Sequence, residues 1–418
     1  MTQLTVKKLA VLPEKVALPA SKSISNRALV ISALSGTKVM PENVSDCDDT
    51  FVMVRALTHP TETLDIMAAG TAMRFLTAYL SVQEGEEHTL TGTERMKHRP
   101  IAILVDALRR LGAEIEYAGE EGFPPLRIKG KALDGGAIEL AGNVSSQYIS
   151  AMLMIGPMLR KGLTLTLTGG IVSRPYIDMT LSIMRQFGAK ATFEENVIRV
   201  EPTGYQPIPY YIENDWSASS YWFEMVALTP DSEVCLPGLF EVSLQGDQGV
   251  KDIFEKLGVE MVCLQSAETE SHDASMNQRA GVLLRHTGRV VERLDIDMLR
   301  VPDLAQTVVV TCAMLGVPFR ITGLQSLKIK ETDRITALRT ELRKLGYLVG
   351  EENDSVLYWN GERCEPEAAP AIDTYEDHRM AMSFAPCSQV LGALRINNPE
   401  VVSKSYPSFW KDFEVVEG

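Results

Sequence analysis

The feature that most constrains this chain is an ending that it uses four times: LRRLGAEIEY (108–117), MRQFGAKATF (184–193), FEKLGVEMVC (254–263) and LRKLGYLVGE (342–351). Each reads as an amphipathic helix stopped by a glycine (Gly112, Gly188, Gly258 and Gly346) and followed at once by alternating apolar residues of a strand. A second helix-to-strand joint recurs between these endings, in GTKVMPEN, GEEHTLTG, GLTLTLTG, DSEVCLPG, VPFRITG and GALRINNP, beginning near residues 36, 85, 162, 231, 317 and 392. Two such joints per unit, at a period of about 70 to 90 residues, predict an α/β or α+β fold assembled from one repeated supersecondary module. A length of 418 residues fits two or three domains or one large repeat assembly. The Pro/Gly-rich stretch PTGYQPIP (202–209) marks the seam in the middle.

Composition narrows the function classes. With 45% hydrophobic and 23% charged residues the chain can bury a sizeable core. No window approaches 18 uninterrupted apolar residues, and Met1 to Lys22 is broken by Lys7, Lys8, Glu14 and Lys15, so neither a membrane span nor secretion is expected. The scattered cysteines, Cys47, Cys235, Cys263, Cys312, Cys364 and Cys387, are expected to be reduced core thiols of a cytosolic protein. A net charge of −14 disfavours nucleic acid as a partner, so any anionic ligand must be met by a local basic cluster. His59, His88, His98, His272, His286 and His378 lack metal-ligand spacing, and no Walker or G-x-G-x-x-G loop opens a helix.

Local clusters do occur at helix openings. In LPASKSISNRALVISALS (18–35) a helix opens near Ser21 with Ile24, Ala28 and Ile31 on one face, gathering Lys22, Ser23 and Arg27 at its first turns. That is an anion site, or a capped helix with solvated basic residues. MAAGTAMRFLTAYL (67–80) repeats the arrangement, with Arg74 on the first turn and Gly70 allowing either close approach of a ligand or a positive φ. In GTERMKHRPI (92–101) Arg95, Lys97 and Arg99 alternate as on one side of an extended segment. Ser145, Ser146 and Gln147 precede one apolar helix, and Ser173, Arg174 and Tyr176 another; both are good caps and both offer groups for a phosphorylated polyol. Asp303 reads as a helix cap, and Glu331 among Lys328, Lys330 and Arg334 reads as a surface ion-pair network or a site. His378 and Arg379 precede an apolar helical face, and Lys404 precedes Pro407.

Taken in order, SKSISNRA, GTAMR, RMKHRP, VSSQ, SRPYIDMTL, PDLAQT, KETDR, DHRMAM and KSYP resemble the 5-enolpyruvylshikimate-3-phosphate synthase family from Leu18 to Phe409. The resemblance implies two similar domains, each of three βαβαββ units in an inside-out barrel, with residues 1–18 and 214–418 in one, 19–213 in the other and the active-site cleft between them. It implies transfer of the enolpyruvyl group of phosphoenolpyruvate to the 5-hydroxyl of shikimate 3-phosphate through a tetrahedral intermediate, in a cytoplasmic monomer needing no metal or organic cofactor. It assigns shikimate 3-phosphate to Lys22, Ser23, Arg27, Ser145, Ser146, Ser173, Tyr176, Asp303, Ser326 and Lys330. Phosphoenolpyruvate falls to Lys22, Gly70, Arg99, Gln147, Arg334, Arg379 and Lys404. Asp303 would take the proton of the attacking hydroxyl and Glu331, near Lys22 and His378, would protonate the methylene carbon, which requires a raised carboxyl pKa that closure of the cleft could achieve.

The chain departs from the family pattern at Ala20, Ala68, His98, Trp216 and Ser326. Ala68 and His98 flank the implied phosphoenolpyruvate site, where weakened binding of the competitive inhibitor glyphosate is expected. The rivals are an enolpyruvyl transferase for UDP-N-acetylglucosamine, a binding homologue without catalysis and an RNA-end cyclase. The first would carry a reactive Cys near RMKHRP, whereas no Cys lies between Cys47 and Cys235. The second would lack Lys22, Asp303 or Glu331, and the third would need a basic face.

Overall fold

All four repeated glycines lie in the left-handed region, at φ of 101° (Gly112), 85° (Gly188), 89° (Gly258) and 91° (Gly346), where a Cβ would be strained. A computed structural model describes residues 2–37, 39–172, 174–264 and 281–413. The chain forms two compact units, Ala20–Ile212 and, from both ends of the sequence, Met1–Pro19 with Glu213–Gly418. The first strand, β1 (Gln3–Lys7), belongs to the latter.

Unit Ala20–Ile212 begins with helices α1 (Lys22–Leu34) and α2 (Asp48–Thr58). Then β2 (Thr63–Asp65), α3 (Gly70–Ser81), β3 (Glu87–Thr91), the short α4 (Glu94–Lys97), α5 (Ala102–Arg110), β4 (Glu114–Tyr117) and β5 (Leu126–Lys129) complete one module. Its sheet runs β2-β3-β5-β4, parallel only between β2 and β3. A parallel pair needs a crossover, and α3 supplies it. The next module repeats this plan with β6 (Gly136–Ala141), α6 (Ser146–Ile155), β7 (Leu163–Thr168), α7 (Arg174–Gln186), β8 (Ala191–Glu194) and β9 (Val197–Val200), in the order β6-β7-β9-β8. Helices α1, α3, α6 and α7 pack on one another, and α3 and α6 are buried on nearly every face, whereas the strands alternate buried with exposed residues. Helices therefore form the interior of this unit and sheets its outer layer.

The other unit holds α8 (Trp216–Ala227), β10 (Glu233–Pro237), α9 (Val250–Glu255), β11 (Leu257–Leu264) and β12 (Gly281–Val290), with sheet order β10-β12-β11. A third copy of the four-stranded plan follows: β13 (Leu294–Asp297), α10 (Ala305–Leu315), β14 (Phe319–Thr322), α11 (Arg334–Lys344), β15 (Gly350–Glu352) and β16 (Val356–Trp359), ordered β13-β14-β16-β15. Finally β17 (Ala371–Ile372), α12 (His378–Phe384) and β18 (Ala393–Asn397) close a sheet with β1 in the order β1-β18-β17. The α10 sequence AQTVVVTCAML is rich in β-branched residues and so a mediocre helix former, yet Ala305 to Met314 are all buried. Burial decides its conformation, and Gly316 at φ 72° ends it.

The mixed α/β class and the repeated module expected from the sequence are present. One expected copy forms no strand among its described residues. From GTKVMPEN these contribute an isolated bridge between Glu42 and Tyr211, and Pro41 has no N–H to give a ladder. Of the cysteines expected in the core, Cys47, Cys312 and Cys387 are buried, while Cys235, Cys263 and Cys364 are only partly so. Among the described residues no helix is long and apolar enough to cross a membrane.

Where the chain enters the second long segment, Glu213 is 3% exposed and accepts a hydrogen bond from Ser243 Oγ at 2.6 Å. Burial pushes its carboxyl up to about 7, against the lowering by hydrogen bonds from Ser243, Gln245 and the Leu244 backbone. Between its ordinary value and about 7 the folded chain holds a proton that the unfolded chain has released, so stability falls as pH rises through that window. At about 1.4 kcal/mol per pKa unit, the ionised group costs roughly 3 kcal/mol. Glu213→Gln should therefore gain several degrees of Tm relative to the parent between pH 5 and pH 8.5; a gap independent of pH would contradict this.

Candidate active site

In unit Ala20–Ile212, Ser21 caps α1 by accepting from Ile24 N at 3.4 Å, which sets Lys22, Ser23 and Arg27 on the first turns. Arg27 is not solvated: it is 3% exposed. Its guanidinium donates to Thr180 Oγ1 (2.7 Å), the Ser23 carbonyl (2.8 Å) and Ser150 Oγ (3.2 Å), and lies 5.9 Å from the Tyr176 ring centre. Burial pulls its pKa down to about 10, with Tyr176 opposing. Among the described residues no carboxylate forms an ion pair with it, so a buried cation stands ready for an anion. Lys22 Nζ lies 3.3 Å from Asp49 Oδ2.

A second gathering forms at the start of α3. Gly70 is an ordinary helical residue rather than a positive-φ one, and a Cβ there would meet Arg99 Nη1 at 2.5 Å and Arg74 Nη1 at 2.9 Å. What a side chain at position 70 would disturb is therefore the placement of these two guanidinium groups, not the backbone conformation. Arg74, 5% exposed, donates to the Gly70 carbonyl at 3.0 Å, and the Tyr148 hydroxyl donates to the Pro100 carbonyl at 2.6 Å. Gln147 Nε2 donates to Thr71 Oγ1 at 3.0 Å, and the preceding Ser145 caps α6. Ser146 follows as the first residue of α6, so capping and exposure of hydroxyls coexist. Ala68 is exposed two residues before Gly70.

The GTERMKHRPI segment is not extended. Thr93 accepts from Met96 N and caps the start of α4, with Met96 buried and Lys97 turned to Glu94 at 2.6 Å. Arg99 joins the Gly70 gathering. Ser173 lies outside the described residues.

The other unit assembles a denser cluster around Arg334, 1% exposed at the start of α11. Its guanidinium donates to Asp377 Oδ2 (2.7 Å) and Oδ1 (3.3 Å), Glu331 Oε2 (2.9 Å) and Asp303 Oδ1 (3.1 Å). Asp303 also faces Lys330 Nζ at 3.4 Å and Arg379 Nη2 at 3.3 Å, and Glu331 Oε1 faces Lys404 Nζ at 3.4 Å. Asp377 caps α12, accepting from Arg379 N at 2.9 Å, and lies 3.7 Å from His378 Nδ1. Ser326 Oγ is buried and makes no hydrogen bond among the described residues.

The cap reading of Asp303 and the surface reading of Glu331 both fail here. Asp303 is not a cap, since Val301 and Leu304 hold the capping positions of the short 3-10 turn and of α10; its carboxylate points instead at three cations on two other segments, Lys330 and Arg334 on one and Arg379 on the other. Glu331, with its side chain 18% exposed, is no surface residue, and its carboxyl is lowered rather than raised. Burial raises it, but Lys404, Arg334, His378 and Lys330 together hold it well below the usual range. Burial likewise raises Asp303, and Lys330, Arg379 and Arg334 more than offset it. Both are ionised here because cations surround them.

Sequence reading missed Asp377, Asp247, Asp49, Ser150 and Thr180. Asp377 stands directly before His378 in a capping position, which was a usable signal. Asp247, buried and accepting from Ser217 Oγ, is pushed up to about 6 by burial and by Asp303, and nothing local announces it. Among the described residues no group of His, Cys, Asp or Glu could hold a metal ion.

Comparison with known proteins adds to this geometry. The sequence model of the family described as EPSP synthase (3-phosphoshikimate 1-carboxyvinyltransferase) matches residues 6–61 and 57–413. A 3-phosphoshikimate 1-carboxyvinyltransferase of Bacteroides fragilis is 58% identical over 95% of this chain and 93% of its own. One of Vibrio cholerae is 36% identical over 99% of each. The fold is like that of an EPSP synthase from Acinetobacter baumannii, with a TM-score of 0.79 at 21% identity over 99% of this chain and 98% of that one. With a family match along nearly its whole length and relatives of that identity, the chain belongs to the EPSP synthase family.

Proposed function

We infer that this chain transfers the enolpyruvyl group of phosphoenolpyruvate to the 5-hydroxyl of shikimate 3-phosphate, releasing phosphate, in the biosynthesis of chorismate and the aromatic amino acids. The observation that carries the reading is Arg27: a buried guanidinium surrounded by hydroxyls and a carbonyl, with no carboxylate paired to it among the described residues, asks for a phosphate. Ser23, Ser145, Ser146, Ser173 and Tyr176 join it on shikimate 3-phosphate, with Lys330, Ser326 and Asp303 from the other unit. Arg99, Gln147 and the Gly70 backbone hold phosphoenolpyruvate with Arg334, Arg379 and Lys404, and Lys22 serves both substrates.

In the addition step the 5-oxygen bonds to C2 of phosphoenolpyruvate, its proton passes to Asp303, and C3 takes a proton from Glu331, beside His378. Loss of phosphate from C2 and of a proton from C3 then restores the double bond. Glu331 can donate only once protonated, and it is ionised while its cations are uncompensated. Phosphate and carboxylate groups bound to Lys404, Arg334 and Lys330 cancel the field that depresses it, so substrate binding itself raises its pKa. We assign the enzyme to the cytoplasm as a monomer, with residues 1–18 and 214–418 as one domain and 19–213 as the other.

Phosphate release from the two substrates in chelator-treated buffer tests the activity. The residue assignment is tested separately. Arg99→Ala and Arg379→Ala should raise KM for phosphoenolpyruvate, and Arg27→Ala that for shikimate 3-phosphate, each by about 10-fold or more from a lost contact of about 1.5–3 kcal/mol. The opposite pattern would overturn it.

A further inference from the structure

Helix α11 grips the segment ahead of α12 at two places. At its start Arg334 holds Asp377; two turns on, along the same face, stands Glu341, fully buried. Glu341 Oε1 accepts from the Tyr375 hydroxyl at 2.5 Å, and Oε2 accepts from Asp373 N at 3.1 Å and faces Lys344 Nζ at 2.7 Å. Lys344 in turn donates to Asp373 Oδ2 (2.8 Å) and the Ala371 carbonyl (3.1 Å), and Asn397 donates to Asp373 Oδ1 (2.7 Å). Between these anchors the backbone does something unusual. Tyr375 and Glu376 are consecutive non-glycine residues at φ of 53° and 56°, a strained conformation that persists only where its surroundings over-determine it. The double left-handed turn is what swings Asp377 back under Arg334, and Asp377 then starts α12 with His378 and Arg379.

We propose that Glu341 is a positioning residue for the reaction: through Tyr375 and Asp373 it holds the 373–377 turn in the conformation that places Asp377, His378 and Arg379. The proposal rests on the assignment of Arg379 to phosphoenolpyruvate. A buried carboxylate is an expensive way to fill space, and burial does push Glu341's carboxyl up, against hydrogen bonds from Lys344, Tyr375 and Asp373. An apolar residue would pack as well but could not receive a hydroxyl, an amide and an ammonium at once.

The test is steady-state kinetics of the full chain with each substrate varied, for Tyr375→Phe, Glu341→Gln, Glu341→Leu and the double variant Glu341→Leu with Tyr375→Phe, with Arg379→Ala as reference. Tyr375→Phe should raise KM for phosphoenolpyruvate on the order of tenfold while that for shikimate 3-phosphate changes less than about twofold. Glu341→Gln, which keeps an acceptor for Tyr375, should retain more activity than Glu341→Leu, and the double variant should be no worse than Glu341→Leu. Variants that lose Tm but keep both KM values would make Glu341 a purely structural residue and overturn the proposal. If Glu341→Leu does not fold, Tyr375→Phe decides alone. Should Arg379→Ala leave KM for phosphoenolpyruvate unchanged, the site assignment fails and takes the proposal with it; if Arg379→Ala raises it and Tyr375→Phe does not, only the proposal falls.

Discussion

Asp303→Ala should lower turnover by about 10²- to 10⁴-fold, the usual contribution of a positioned proton acceptor, while the protein remains folded. The carboxylate is held by Lys330, Arg334 and Arg379 rather than by a helix end, so α10 keeps its start without it. Its loss does strip one anion from three cations, which costs about 1–3 kcal/mol and a measurable but survivable part of Tm. Asp303→Asn separates the two effects: the amide keeps the shape and can still accept a hydrogen bond, yet it cannot take a proton from the attacking hydroxyl. Both variants should be comparably slow, with circular dichroism spectra like the parent's. Asp303→Asn at more than a tenth of parental kcat would remove Asp303 from the proton path.

Arg334→Ala should be the most destabilising single change at the site. Removing the guanidinium leaves Asp377, which is fully buried, facing Glu331 and Asp303 with no charge between them. Breaking a buried pair in this way costs about 3–5 kcal/mol, or roughly 6–20 °C of Tm in a unit of this size. The sign of the pH dependence follows from the depressed carboxyl groups. Stability drawn from Asp303 and Glu331 is present above their unfolded pKa values and is lost as pH falls through their folded ones. The gap in Tm between parent and variant should therefore be widest near neutrality and narrow below about pH 4.5, where protonation relieves the repulsion in the variant. Arg334→Lys should restore little, because one ammonium cannot bridge carboxylates on several sides as a planar fork does. A gap that widens in acid would contradict the account.

What could be read from residues alone followed the range of the interactions. A helix that ends in a left-handed glycine is a local steric event, and Gly112, Gly188 and Gly346 were legible for that reason, whereas Gly258, also left-handed, falls two residues past the Lys256 cap of α9 and inside β11. Sheet order is not local: nothing near Thr63 says that its strand will lie beside Glu87–Thr91, and only the repeated plan in the finished sheets makes the module plain. Within the site, types and spacing identified Arg27, Glu331 and Arg334, but not their burial. GTERMK alternates like a strand on paper, and the Thr93 cap and the pull of Met96 into the core wind it into a turn of helix. Asp303 looked like a cap because the capping pattern is written in neighbouring residues, whereas its partners Lys330, Arg334 and Arg379 arrive from distant segments. Asp377 escaped for the same reason, its partner standing on another helix.

The pairing of β1 with β18 has a consequence for biogenesis. Gln3–Lys7 is made long before its hydrogen-bonding partner Ala393–Asn397. At about 5–20 residues per second the delay is roughly 20–80 s. Throughout that interval Leu4 and Val6 have no sheet to enter, while Ala20–Ile212 has every partner its modules need and can close on the ribosome. Nascent chains stalled after residue 230 should therefore hold a protease-resistant core that begins near Ala20 and leaves the strand before it open to cleavage.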